Sequence, residues 1–418
     1  MDLILRNISQ LILPQKKMWK IKRPKNASLF IKNGKVVAAG SNESSYLQLK
    51  KNLKDDWNNF LSSTEVLDCS GKIVTPGLVD PHTHSVFGAT RQNEFKMRSE
   101  GKSYLEIAES GGGIRYSVRQ LRKLSERKLV EATIPFLDRF FELGTTTVEV
   151  KSGYGLSLKD ELKMLKVVRR LNAVHKITLI PTFLGAHEVP DEYRDNREKY
   201  IDIITQEMIP EVAESRLAEF CDIFTETGVF TIAESEKILG VAKDFGLKIK
   251  MHVEEFTDIG GAELAGKLGA VSADHLECVS DAGIKSMKNG GTVPVLLPGT
   301  ALFLGLKNYP PARKMIEAEL PVALGTDFNP GSSFTQSLPL MMTIACTQMK
   351  MTPDEAFYAV TVNSAKAVAR EGLGTLDIGS VADFVVWDAK DLETLPYYFG
   401  GNLVERTYKN GELVYSKK

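Results

Sequence analysis

Between residues 72 and 325, short apolar runs alternate with helical periodicities, and this alternation restricts the fold more than any other feature of the chain. The predicted strands are Lys72–Asp80, Thr145–Val150, Ile177–Phe183, Phe220–Phe224, Lys248–Val253, Ala270–Ala273, Thr292–Leu296 and Val322–Gly325. Between them, Leu158, Leu162, Leu165 and Val168 recur at three and four residues behind Ser157 and Asp160. Ile238, Val241 and Phe245 repeat the pattern, from Thr231 with Glu234 three on to a stop at Gly246. Thr352-Pro353-Asp354-Glu355 opens the last helix of the region with a cap, a proline and acidic residues. The strands read as near-continuous apolar runs, as parallel strands covered on both faces do. Eight such strands with helical crossovers predict an α/β fold, a (β/α)8 TIM barrel. Gly88–Leu143 exceeds a short connection, and its Ser110-Gly111-Gly112-Gly113 is read as a flexible loop placed to close over a site.

The flanks are different in style. Leu3–Arg6, Ser28–Lys32, Lys35–Ala39 and Glu65–Asp68 read as short strands, with Asn33-Gly34 as a type I′ hairpin turn. Asp383–Trp387, Val404–Lys409 and Glu412–Tyr415 repeat the style, with Asn410-Gly411 between the last two. Chain termini often lie close together, so both ends are expected to build one small composite β-sandwich domain. The predicted organisation is residues 1–70 and 371–418 in that domain and 71–370 in the barrel.

Lysine and arginine together number 53, as do aspartate and glutamate. No net field favours nucleic acid or an anionic membrane surface. No run approaches the length of a membrane span, and the first residues lack a signal-peptide pattern. Cys69, Cys221, Cys278 and Cys346 are scattered without a CxxC pair, which argues against a disulfide framework or thiolate zinc site and fits a reducing cytoplasm.

Five of the six histidines fall at or just past the carboxyl end of a predicted barrel strand. His82 and His84 follow strand one, His187 follows three, His252 ends five and His275 follows six; Asp327 closes eight. His175, on the helix before strand three, is read as structural. His82-Thr83-His84 alone reads equally as a metal seat or as two surface histidines by a turn. In a barrel, however, these strand ends share one mouth, where active sites lie. His82, His84, His252 and Asp327 would then offer three neutral nitrogens and one carboxylate to one divalent ion, zinc or iron(II). Such an ion lowers the pKa of bound water to about 7, giving hydroxide at neutral pH. Glu255 is a candidate proton shuttle, with a solvated carboxylate beside Glu254 as the alternative. His275 is read either as a group that polarises a carbonyl or as a core histidine. A second metal would need a bridging anion at the end of strand four, where Glu226 is available but no lysine is; one ion is expected.

This pattern resembles the amidohydrolase superfamily along the whole chain. Five ordered motifs carry a closer likeness: Pro81–Gly88 leading into Arg91, Ser110–Ile114, Lys151–Gly155, Thr182–Glu188 and Gly325–Ser332. They resemble the branch that opens 4-imidazolone-5-propanoate to N-formimidoyl-L-glutamate, the third step of histidine breakdown. That resemblance implies attack of activated hydroxide on the cyclic amide, with Glu255, His275 and Asp327 catalytic and a homodimeric state. It also implies substrate contacts from Arg91, Tyr154, His187, Glu255, Asn329, Gly331 and Ser332. Arg91 is suited to a bidentate pair with the propionate, with Arg115 as second candidate. For Asn329–Gly331 the alternative is an ordinary turn. Two other readings stay open: a deaminase or cyclic amidohydrolase of another ring, and a barrel-shaped assembly protein without catalysis.

Overall fold

The structure is a computed structural model and describes residues 2–15, 17–102, 106 and 111–418. The chain divides into two compact units, one of Met1–Asp80, Asp138–Thr147 and Ser337–Lys418, the other of Pro81–Leu137 and Val148–Gln336.

The first unit holds two sheets. Lys35–Ser41, Ala27–Lys32, Leu3–Ile8 and Val66–Asp68 form one; Glu412–Ser416, Val404–Lys409, Phe384–Trp387, Ile73–Pro76 and Gln10–Leu11 form the other, so chain from both ends shares one sheet. Leu5, Leu29 and Ile31 pack with Val74, Phe384, Val386 and Tyr408 in a common core, which makes the pair a sandwich. The outer face of the first sheet is buried too, because Leu49 and Phe60 cover Ile4, Phe30 and Ala38. This double burial explains why Ala27–Lys32 is apolar without alternation. Asn33 and Gly34 (φ 53° and 72°) and Asn410 and Gly411 (φ 52° and 76°) supply the left-handed turns their hairpins require.

The eight-stranded sheet runs in sequence order: β1 (Leu78–Asp80), β2 (Thr145–Lys151), β3 (Thr178–Ala186), β4 (Phe220–Thr225), β5 (Lys248–Val253), β6 (Ser272–His275), β7 (Val293–Leu296) and β8 (Ala323–Leu324). From β3 to β8 the neighbours pair in parallel. The ring closes just past β1 and β8, where Thr83 bridges Phe328 in parallel. There the His84 N–H donates to the Phe328 carbonyl at 2.9 Å and the Asp327 N–H to the His82 carbonyl at 3.1 Å. Barrel closure thus fixes the two segments that carry three of the candidate ligands.

Three expectations change. The predicted strand Lys72–Asp80 is two strands, Ile73–Pro76 in the sandwich and Leu78–Asp80 in the barrel. Pro76 has no N–H to continue a ladder, and Gly77 is approached so closely that a Cβ there would lie 2.4 Å from Thr146 Oγ1. The described residues of 88–143 are mostly helical, with Gln92–Ser99, Gly113–Lys123 and Glu126–Glu142. Of the supposed loop, Ser110 lies outside the described residues and Gly113 begins a helix. Finally, the barrel strands are not simply apolar: Glu149, Lys151, Asp222, Lys250 and Asp274 are all fully buried. The helix starts behave as expected, since Thr231 with Glu234 and Thr352 with Glu355 form reciprocal capping boxes.

Gly77→Ala should therefore lower stability by about 1–3 kcal/mol through overpacking. Gly240→Ala, in an open helical position, should raise it by about 0.5–1 kcal/mol. Thermal midpoints of the two variants should move in opposite directions.

Candidate metal centre and active site

Side chains alternate along a strand, so residues two apart share a face. At the carboxyl end of β5, Lys250 and His252 share a face, and on β6 Ser272 and Asp274 do likewise. His82 and His84, also two apart, lie just beyond β1, in the segment held by Phe328. The result is a buried group of three imidazoles, His82, His84 and His252, whose ligand atoms all lie within 4.8 Å of one another. His84 Nε2 and His252 Nε2 are 3.4 Å apart. Asp327 Oδ1 lies 3.5 Å from His82 Nε2 and 3.6 Å from His84 Nε2. A tetrahedral ion with ligand bonds of about 2.1 Å separates its ligands by about 3.4 Å, so these donors fit a divalent cation.

The outer ring nitrogens are tied to carboxylates. His82 Nδ1 is 2.6 Å from Asp274 Oδ2 and His252 Nδ1 is 3.1 Å from Asp222 Oδ1. An Nδ1–H given to a carboxylate fixes the tautomer and leaves the Nε2 lone pair for a ligand role. Burial, followed by the charge of Lys151, holds His82 well below the ordinary histidine range. For His84, burial is followed by the charge of His187. Both are thereby kept neutral. Under the histidines lies Lys151, whose ammonium donates to Glu149 at 2.8 Å and Asp222 at 2.7 Å and stands 3.5 Å from Asp274. Burial opposes its charge, but Asp222, Glu149 and Asp274 outweigh that and hold the amine protonated. Lys250 donates to the Pro81 carbonyl at 2.8 Å, one residue before His82.

On the rim, His275 Nε2 is 3.7 Å from Glu255 Oε2 and His275 Nδ1 is 3.9 Å from Glu277 Oε2. Burial, reinforced by Glu277, Asp327 and Glu226, pushes the Glu255 carboxyl well above the usual range. Burial also raises Asp327 to about 6, against the hydrogen bond from Thr300. Glu254, Asp327 and His275 have φ of 52°, 50° and 81°, a left-handed backbone that costs a non-glycine residue about 1–3 kcal/mol and gathers at functional sites. Glu226, weighed above as a bridging ligand, accepts instead from the Phe256 and Thr257 amides and anchors the loop after Glu255. His187 stacks on His84 with centroids 5.1 Å apart and gives Nδ1–H to the Gly153 carbonyl at 3.0 Å. Tyr154 lies 5.8 Å from His84 and 5.5 Å from His187. His175 caps the helix before β3, its Nδ1 accepting from Ile177 N–H, as its structural reading requires.

Arg91 keeps one edge of its guanidinium on Glu94, at 3.0 and 2.7 Å. Its other face lies on Gly331, where a Cβ would sit 2.2 Å from Nη1. Arg98 Nη2 donates to the Gly331 carbonyl at 3.1 Å, so two arginines and one glutamate leave a net positive corner. Glu94 also accepts from Gly113 N–H at 2.9 Å. Arg115 is engaged elsewhere, 3.1 Å from the half-exposed Asp191. Asn329 spends its side chain inside its own turn, accepting from Gly331 and Ser332 amides and donating to the Asp327 carbonyl and the Ser332 hydroxyl. Glu94, Arg98, Lys151, Asp222, Asp274 and Glu277 escaped the sequence reading as site residues. For the strand residues a signal existed: Glu149 and Lys151, or Lys250 and His252, are charged or polar at spacing two within a buried strand.

A barrel of this topology with histidine ligands past β1 and on β5 defines a class. The amidohydrolase family model matches residues 73–414, and the chain belongs to that family. Its relatives include proteins named imidazolonepropionase from Alkaliphilus metalliredigens, 44% identical over all of this chain and 98% of the relative, and from Fusobacterium nucleatum, 45% identical over 100% and 99%. Among solved structures, guanine deaminase of E. coli matches with TM-score 0.71 at 16% identity over the full length of both chains. An adenosine deaminase from Xanthomonas campestris with bound zinc matches with TM-score 0.72 at 16% identity, covering 99% of this chain and 92% of that one. At that identity the likeness is one of fold. Family and histidine cluster together mark a divalent-metal site.

Removing one ring should empty it. His252→Ala, purified after metal-replete expression, should retain less than about a tenth of the metal of the parent by elemental analysis, since loss of a direct ligand exceeds the roughly 10–100-fold cost of losing an outer partner.

Proposed function

We propose that the chain hydrolyses 4-imidazolone-5-propanoate to N-formimidoyl-L-glutamate, the third step of histidine degradation. The observation that carries this reading is the joint presence of the three-imidazole cluster and the Arg91–Gly331 contact, with Tyr154 against His84 and within electrostatic reach of both Arg91 and Asp327. Full-length similarity to relatives named imidazolonepropionase supports the same substrate.

His82, His84, His252 and Asp327 would hold one divalent ion, Zn2+ or Fe2+. Bound there, the ion supplies a Lewis acid and a water acidic enough to be deprotonated near neutral pH. The chain's residues do the rest. Arg91 binds the propionate through the guanidinium edge that Glu94 leaves open, assisted by the Gly331 amide and Ser332. Tyr154 and His187 bracket the imidazolone ring, and Asn329 shapes the turn that presents Gly331. Glu255, a buried carboxyl 3.7 Å from His275 on the rim, takes the proton of the attacking water and returns it to the leaving ring nitrogen. His275 donates to the developing oxyanion. Asp327 shares in the proton transfer. The working protein is a cytoplasmic homodimer acting on a small molecule.

Incubation of the metal-loaded chain with 4-imidazolone-5-propanoate should give N-formimidoyl-L-glutamate without ammonia. Ammonia release would instead support a deaminase acting on a related ring. Glu255→Gln should lower kcat about 10²–10⁴-fold with metal retained. Arg91→Met should act mainly on KM, because the propionate is held equally in ground and transition states. Steady-state kinetics separate the two.

A further inference from the structure

Two of the three clustered histidines are oriented by carboxylates, and those carboxylates share one cation. Asp274 holds His82 from β6 and Asp222 holds His252 from β4. Lys151, from β2, reaches both: 2.7 Å to Asp222 and 3.5 Å to Asp274. Its third partner is Glu149 at 2.8 Å, and all four side chains are completely buried. A free carboxylate in this position would be drawn toward any other positive group and would swing its imidazole with it. A carboxylate pinned by an ammonium has one orientation. The Lys151 backbone adds a constraint, its N–H donating to the Thr83 carbonyl between His82 and His84 at 2.9 Å.

We propose that Lys151 is a positioning residue for the metal centre: one buried ammonium clamps Asp222 and Asp274 and so sets His82 and His252 at the mutual spacing a single cation needs. Lys151 touches neither the ion nor the substrate. The inference rests on the three-histidine metal reading above, and its test does not require turnover.

The test uses the full-length apo-protein and Zn2+ alone, titrated against a chromophoric chelator. Circular dichroism verifies the fold, and the visible spectrum of the Co2+-substituted protein reports on the ligand field. Lys151→Met, similar in length and uncharged, should weaken Zn2+ binding about 10–100-fold, the usual effect of losing an outer-sphere partner of a metal histidine. Its Co2+ bands should shift as the imidazoles lose their fixed orientation. Asp222→Asn should cost much less affinity in the Lys151→Met background than in the wild type, because residues acting through one chain of contacts are not additive. A folded Lys151→Met protein with Zn2+ affinity within twofold of wild type and an unchanged Co2+ spectrum would overturn the clamp alone. Full additivity with Asp222→Asn would overturn it too. If Lys151→Met does not fold, Lys151→Gln decides: affinity within twofold of wild type with an unchanged Co2+ spectrum rejects the clamp, and a loss of tenfold or more with shifted bands supports it. Wild-type protein that binds no Zn2+ would overturn the metal reading and the clamp with it.

Discussion

Charges buried out of reach of water dominate this barrel. Glu149, Lys151, Asp222, Lys250 and Asp274 are each completely buried, and an unpaired ion in such a place costs several kcal/mol. They are tolerated because they meet: three carboxylates face two ammoniums, each within ion-pair distance of another member. Removing one member of such a network typically costs about 3–5 kcal/mol, since the partner is left buried and alone. The histidines sit on this network. Burial keeps His82 and His84 neutral, and Asp274 and Asp222 present the Nε2 atoms of His82 and His252 to one point. Neutral, oriented imidazoles are what a divalent cation requires.

Barrel closure contributes the second half. The strands β1 and β8 are only three and two residues long, and the bridge between Thr83 and Phe328 extends their pairing past their ends. His82, His84 and Asp327 are therefore held by backbone bonds, not by loops that must order on binding. The left-handed backbone at Asp327 and His275 is the cost of turning those side chains inward, and the surrounding ladder holds it. The positively charged corner at Arg91 is built by a different route. Glu94 fixes Arg91 and the start of the helix Gly113–Lys123 together, and the absence of a side chain at Gly331 lets the guanidinium lie against the backbone.

Much of this was legible in the sequence. The eight-strand alternation gave the barrel, and five histidines at strand ends, with Asp327, gave the mouth. Two Asn-Gly turns placed the hairpins of the sandwich. What was not legible has physical reasons. Lys72–Asp80 reads as one strand because hydrophobicity does not register a change of sheet, which Pro76 and the close approach of Thr146 to Gly77 enforce. The helices of residues 88–143 were hidden by a glycine run that opens one of them. The charges on β2, β4, β5 and β6 were discounted because an apolar strand average hides its inward positions, although period-two spacing places Lys250 on the face of His252. Arg91 stands out in the sequence only by its likeness to a family motif, whereas Glu94, which pairs with it, carries no such mark.

The arrangement calls for one ion at one place. The most direct measurement is anomalous diffraction from crystals of the protein grown with Zn2+. A single strong peak is predicted about 2.0–2.2 Å from the Nε2 atoms of His82, His84 and His252 and from an Asp327 carboxylate oxygen. A peak away from these atoms, or two peaks of comparable height about 3.5–4 Å apart, as in a two-metal site, would contradict the single-ion centre.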